Sequence, residues 1–304
     1  MNNPLTLSCD CAVIGAGPGG LAAAVYLARS NRHVLVFDGG KPRAAWSPWN
    51  RNYPGFPEGV AGVDLVSRFR EQAEEFDVQF VPDRVTSVGQ ADGKFTIDAG
   101  ELGVEARRLI LATGVTDVWP DVPNVDSLKG SRIRVCPICD AYEANGRRVG
   151  LIGCGDKAAR EALYLRKFTG DMALFTHGLR EERPICQELT ERHAGEEIAT
   201  YDARVEKLVP LGEEGVSVCL ADGQEIPIDL LFSGLGAHPN TELAEPLGIA
   251  LDEDGYIKVD RWQATNVPNL YAVGDVTCAI NQVTVAVGQA AVAAVAVHNS
   301  LLDF

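Results

Sequence analysis

Cys136 and Cys139 stand three positions apart in the stretch Cys136-Pro137-Ile138-Cys139-Asp140, with a carboxylate directly behind the second sulfur. Such a pair serves a redox disulfide, half of a zinc site, or two buried thiols without chemistry. Zinc asks for four ligands, commonly a second Cys-x-x-Cys or paired histidines. The chain has no second Cys-x-x-Cys and its five histidines are scattered, so no metal is expected. For redox work the spacing is apt. Pro137 suits the first turn of a helix, which puts Cys136 at a helix N-terminus, where a thiolate is stabilised. Asp140 could carry the proton that thiol–disulfide exchange must move.

The rest of the chain must position this pair and supply its electrons. At 304 residues two domains are expected. A net charge of -15 excludes nucleic acid and anionic membranes as main partners, since both require a basic surface. The first residues carry no basic leader pattern, and the alanine-rich run from Val283 to Val297 reads as too short for a membrane span. A cytoplasmic protein without a membrane span is expected. In a reducing compartment most of the eight cysteines should be thiols.

Residues 9–14 read as a buried strand that runs into Gly15-x-Gly17-x-x-Gly20, then a helix, then a second strand ending at Asp38, 18 residues beyond Gly20. In that strand–turn–helix–strand context the glycines point to a dinucleotide. Gly15 permits the tight turn, Gly17 lets backbone approach a pyrophosphate, and Gly20 lets helix and strand pack closely. Asp38 can accept from a ribose hydroxyl. A glycine-rich turn without ligand is the alternative. A second unit begins at Arg147, with Gly153-x-Gly155-x-x-Ala158 between strand and helix; it is a second nucleotide site or a relic of one. Two more strands end in small residues, at Thr113-Gly114 and at Gly274-Asp275. Asp275 can bind a ribityl or ribose hydroxyl, or cap a turn. The helix after Gln282 carries no acid in its first turn, which suits an anion placed against it.

The ordered set GAGPGG, LILATG, CPICD, GCGDKA and YAVGDV spans nearly the whole chain and resembles the low-molecular-weight thioredoxin reductase family. The resemblance implies an α/β fold of two Rossmann-like, three-layer ββα-type nucleotide-binding domains, the second inserted in the first. The FAD domain would comprise residues 1–117 and 243–304, and the nicotinamide-type domain residues 118–242. FAD would lie on Gly15, Gly17, Gly20, Asp38, Asn52, Thr113, Gly114, Gly274, Asp275 and the backbone near Gln282. The redox disulfide would be Cys136–Cys139, with Cys139 toward the flavin, Cys136 toward the partner, and Asp140 as the acid. The partner would be a thioredoxin-like protein or a small dithiol or disulfide, and the enzyme a homodimer.

The departures from the pattern bear on the electron donor. Relatives hold the 2′-phosphate of NADPH with a His-Arg-Arg triplet and a further Arg after the second strand of the second unit. Thr176, His177 and Gly178 replace the triplet here. Losing two charge-assisted hydrogen bonds costs about 3–6 kcal/mol, roughly two to four decades of affinity. NADPH is therefore in doubt as donor, and a second flavin or another nucleotide is an open alternative at Gly153, Gly155 and Ala158. The segment 39–56 also departs, with Lys41, Arg43, Trp46, Trp49 and Arg51. These residues could hold a phosphate or a flavin face, or form a surface loop whose tryptophans pack between domains. The expected activity is an FAD-dependent thiol–disulfide oxidoreductase of an atypical, thioredoxin-reductase-like branch. The alternatives are an ordinary NAD(P)H-dependent thioredoxin reductase and a flavin redox sensor without turnover.

Overall fold

The computed structural model describes residues 6–100, 102–213, 215–277 and 280–302, so Cys278 lies outside the described residues. The chain divides into two compact units. The first comprises the residues up to Trp49, Tyr53–Thr116 and the residues from His238 onward; the second comprises Asn50–Asn52 and Asp117–Ala237. The chain leaves and re-enters the first unit through Val115–Asp117 and Ala237–Pro239, which pair as a two-stranded ribbon.

In the first unit, strand Thr6–Ile14 lies between the parallel strands Val34–Phe37 and Leu102–Leu111, and Gln79–Val81 continues the sheet beyond Val34–Phe37. Successive side chains of a strand point to opposite faces, and both faces here are buried. Leu35, Phe37, Leu109 and Leu111 enter one core; Val34, Val36 and Ile110 enter the other. Strand Leu102–Leu111 forks on its far edge. Its first half pairs antiparallel with Lys94–Ala99, and its last three residues pair parallel with Leu270–Ala272, contributed from near the end of the chain.

Helix Pro18–Arg29 and helix Val283–Ser300 share the second core. The latter buries Ala286, Ala290, Ala293, Ala294 and Val297, spaced as one helical face requires. It runs past the apolar stretch read from the sequence. Among the described residues it is the one helix long and apolar enough, by length and composition, to cross a membrane. Cys9 and Cys11 are buried in the cores of this unit; burial raises the Cys9 thiol to about 12 and pushes that of Cys11 well above its ordinary value.

The second unit has an all-parallel sheet in the order Ala199–Tyr201, Asp171–Phe175, Arg148–Ile152, Leu230–Ser233, Ile133–Arg134. Helix Gly155–Leu165 covers one face, and the antiparallel meander Val205–Leu211, Gly215–Leu220, Glu225–Ile228 covers the other. That is a three-layer ββα arrangement.

Close packing at the first glycine turn rests on bare backbone. A Cβ on Gly20 would stand 1.9 Å from the Gly15 carbonyl oxygen. Gly20→Ala is expected to lower the unfolding free energy by about 1–3 kcal/mol, the range of overpacking substitutions. Denaturant titration reads this as a lower midpoint at unchanged slope; an unmoved midpoint would mean the turn gives way freely.

Candidate active site

The glycine turn of the first unit is built from the strand end outward. Gly15 follows strand Thr6–Ile14 with φ at +114°, and a Cβ there would meet the Ala112 carbonyl oxygen at 2.3 Å. Gly15 and Gly20 are thus glycines because neighbouring backbone demands it. Gly17 differs. It caps helix Pro18–Arg29 in an extended conformation open to any residue, and a Cβ there would meet nothing within 4 Å. Protein packing gives no reason for glycine at this position, whereas a ligand seated against the helix end does. The first turn of the helix holds no acid and no side-chain cap.

Gly19 faces Ala286, with its missing Cβ at 3.5 Å from the alanine methyl, so the first turns of helices Pro18–Arg29 and Val283–Ser300 come together. Gly274, at φ +79°, sits against the same methyl, and its amide donates to Gln289 Oε1 at 2.7 Å. Gln282 caps helix Val283–Ser300, again with no acid in the first turn. Beside it the Asn281 side-chain oxygen is buried without a hydrogen-bond partner, a deficit that a ligand donor would repair. Two helix N-termini, the open face at Gly17 and this orphaned acceptor fit the phosphate and sugar portions of FAD.

Both acids of this region are held by arginines. Arg43 donates to Asp275 Oδ2 at 3.1 Å, and Arg70 to Asp38 Oδ2 at 2.6 Å. Asp38 also accepts from the Gly40 amide at 2.9 Å. Thr113 and Gly114 are tied to Asn240: the threonine hydroxyl donates to the Asn240 carbonyl at 2.7 Å, and the Asn240 side-chain amide donates back to the Thr113 carbonyl at 2.8 Å. No motif in the sequence pointed to Asn240 or Asn281. Asn52 belongs to the second unit, and the other residues expected at the flavin belong to the first. In the segment 39–56, Trp46 and Trp49 are both nearly half exposed rather than packed, Trp49 Nε1 donates to the Glu58 carbonyl at 2.7 Å, and Arg51 pairs with Glu143 at 3.4 Å.

In the second unit Cys136 and Cys139 are joined as a disulfide, S–S 2.02 Å. Cys136 caps the single turn Pro137–Asp140, and its sulfur accepts from the Cys139 amide at 3.1 Å. That bond becomes stronger when the sulfur carries charge. Both sulfurs are part-buried, and Ile138 between them is exposed. Burial raises the Asp140 carboxyl to about 6; Arg134 opposes the shift and Glu143 adds to it. A carboxyl in that range can both give and take a proton near neutrality.

The second glycine turn packs as the first does. A Cβ on Gly153 would meet the Gly234 carbonyl oxygen at 2.7 Å and the Ala158 methyl at 2.8 Å, and Gly155 sits at φ +78°. Its electrostatics differ. Asp156 lies in the first turn of helix Gly155–Leu165 and accepts from the Cys186 amide, and the Cys154 thiol donates to the Arg183 carbonyl at 3.0 Å. Among the described residues no group of three or more His, Cys, Asp or Glu is placed to hold a metal.

Residues 9–290 match the family model described as pyridine nucleotide-disulphide oxidoreductase. The chain is 32% identical over 275 residues to a thioredoxin reductase of Mycolicibacterium smegmatis, covering 88% of each. It is 31% identical over 281 residues to NADPH-dependent thioredoxin reductase 3 of Arabidopsis thaliana, covering 87% of this chain and 53% of that protein, so it spans about half the length of that relative. The crystal structure of thioredoxin reductase from Streptococcus pyogenes matches it with a TM-score of 0.89 and 26% identity, over 97% of this chain and 98% of that one. Two Rossmann-like units with a Cys-x-x-Cys disulfide in the second define a thioredoxin-reductase-like, flavin-dependent disulfide oxidoreductase. The chain belongs to the pyridine nucleotide-disulphide oxidoreductase family.

Two outcomes test the site. Gly17→Val adds a side chain where only a ligand would meet it; the purified variant is expected to fold but to lack the yellow of bound FAD, and a yellow variant would sink the assignment. The Asp140 carboxyl keeps its proton below about pH 6 and loses it above. Reduction of the disulfide by a small dithiol should therefore be at least ~10-fold faster in the native enzyme than in Asp140→Asn at pH 5, with the ratio shrinking as pH rises past that value. Taking the ratio at each pH cancels the ionisation of the reagent, and a ratio independent of pH would remove Asp140 from proton transfer.

Proposed function

We propose that the protein is an FAD-dependent thiol–disulfide oxidoreductase in which the Cys136–Cys139 disulfide exchanges two electrons with the flavin and then with an external dithiol or disulfide. The observation that carries this reading is the disulfide itself, capped by an amide of its own turn and followed by a carboxyl poised near neutrality. FAD, when bound, supplies a two-electron redox centre. Gly15, Gly17 and Gly20 admit its pyrophosphate; Asp38, Asp275, Thr113, Gly114, Gly274 and the backbone at Gln282 take its sugar and ribityl groups, and Asn52 flanks the flavin.

In the thiol half-reaction a partner thiolate attacks Cys136 Sγ. The Cys136–Cys139 bond breaks, a mixed disulfide forms, and Asp140 protonates the departing Cys139 sulfur. The partner's second thiolate attacks its own sulfur in the mixed disulfide and releases Cys136, so the partner leaves oxidised and the pair holds two electrons. The reverse sequence reduces a disulfide. The relatives from Mycolicibacterium smegmatis and Streptococcus pyogenes are named thioredoxin reductases, which supports a thioredoxin-like protein or a small dithiol as partner; a homodimer and a cytoplasmic setting are part of the same reading. Gly153, Gly155 and Ala158 form a second nucleotide site. NADPH is not its donor in this reading, because Thr176, His177 and Gly178 offer no pair of guanidinium groups.

The experiment is anaerobic titration with a dithiol, followed by flavin absorbance. Bleaching is expected in the native enzyme and loss of bleaching in Cys139→Ser. Cys136→Ser should leave a single thiolate and a broad long-wavelength band, favoured by a low thiol pKa. Micromolar NADPH should bleach the native enzyme slowly or not at all. Full thiol–flavin exchange in both serine variants would defeat the reading, and rapid bleaching by NADPH with NADH much weaker would restore an ordinary NADPH-dependent reductase.

A further inference from the structure

In a dinucleotide-binding βαβ unit, the residue just past the second strand meets the ribose of the adenosine. In the second unit that residue is Thr176, directly after Asp171–Phe175 and fully buried. Its hydroxyl donates to Asp202 Oδ1 at 3.1 Å. Asp202 follows the neighbouring parallel strand Ala199–Tyr201, whose Tyr201 is in register with Phe175. The carboxylate therefore lies at the same C-terminal edge of the sheet where such units bind ribose, reached from the next strand over.

The cation bonded to Asp202 is Arg180. Arg180 Nη1 donates to both Asp202 oxygens, at 3.0 and 2.9 Å. His177, at φ +58°, accepts the Val205 amide on Nδ1. Burial and the neighbouring Arg204 push its pKa below the ordinary value, with Asp121 opposing, so at neutral pH it brings no positive charge. The Arg180–Asp202 pair also lies within electrostatic reach of the glycine turn. The Cys154 thiol, raised mainly by burial and lowered by its bond with Gly155, is lowered further by Arg180 and raised by Asp202.

We propose that Asp202 determines the nucleotide specificity of the second unit, which takes an adenine dinucleotide with a free ribose 2′-hydroxyl, NAD(H), and rejects the 2′-phosphate of NADP(H). This rests on the reading of the second unit as a nucleotide site, and it names the nucleotide. A 2′-hydroxyl donates to the Asp202 carboxylate, as the Thr176 hydroxyl already does. A 2′-phosphate brings a charge of about -1.5 to -2 against that carboxylate. Arg180 can turn to the phosphate only by abandoning Asp202, which leaves two anions side by side.

The test is equilibrium binding of NAD+ and NADP+ to the FAD-loaded enzyme by titration calorimetry; oxidised nucleotides keep turnover out of the measurement. The native enzyme should bind NAD+ at least ~10-fold more tightly, the factor carried by one charge-assisted hydrogen bond. Asp202→Asn frees Arg180 and should shift the ratio ~10-fold toward NADP+ or beyond, and adding Arg180→Ala should cancel that gain. Asp202 is exposed, so the variant is expected to keep the native circular dichroism and supports a clean comparison. A native enzyme that prefers NADP+, a ratio unmoved by Asp202→Asn, or no binding of either nucleotide would each overturn the proposal. Dithiol-driven bleaching of the flavin separates the two claims: if it persists when neither nucleotide binds, the thiol chemistry stands and the specificity falls.

Discussion

The first unit hangs on one backbone-to-backbone approach, the near contact of Gly20 with the Gly15 carbonyl. It draws helix Pro18–Arg29 onto the end of strand Thr6–Ile14, and the strand in turn is held by both of its sheet neighbours. Only with that helix seated can Gly19 meet Ala286 and bring the first turn of helix Val283–Ser300 alongside. Two sets of unpaired amide groups then converge, each carrying part of a helix dipole. The site proposed for the flavin is in this sense a product of missing side chains. A Cβ at Gly15 or Gly20 collides with backbone, and one at Gly17 takes space that the protein leaves open.

The same strand–turn–helix device recurs in the second unit with different charges. Close packing of Gly153 on Ala158 and Gly234 repeats the geometry, but Asp156 occupies the first helical turn and the Arg180–Asp202 pair stands nearby. Geometry makes both units able to hold a nucleotide, and electrostatics then sorts which one. An acid bonded to a neighbouring amide or arginine is a stable surface feature, worth little to folding when exposed. Its larger effect falls on whichever anion approaches.

The parallel architecture was legible in the sequence because apolar runs, glycine turns and helix-length stretches alternate in a short period, and each constrains the next. The disulfide was legible by another route: Pro137 and the spacing of the two cysteines suit one helical turn, and the resemblance to thioredoxin reductases supplied the pairing. What stayed hidden are pairings between distant segments. Arg43 with Asp275, Arg70 with Asp38 and Arg180 with Asp202 join residues whose spacing carries no period and whose charges would be solvated equally well elsewhere. The Thr113–Asn240 exchange is of this kind too, since an isolated asparagine has no sequence pattern to announce it. The tryptophans of the segment 39–56 could be read two ways, as packed residues or as a face for a ligand, and Trp46 and Trp49 stand substantially exposed.

Strand Leu270–Ala272 and helix Val283–Ser300 complete a sheet and a core that begin at Thr6, while the parallel sheet and the meander of the second unit lie between residues 133 and 233. On a ribosome the second unit is therefore finished first. At about 5–20 residues per second, the earlier part of the first unit waits on the order of ten seconds for the strand and helix that close it. Through that interval the edge of Leu109, Ile110 and Leu111 that awaits the late strand lacks its neighbour, and helix Pro18–Arg29 lacks the helix it packs against. If the cofactor seats where proposed, its loading belongs to the last stage of synthesis, after Cys136 and Cys139 have their own folded setting.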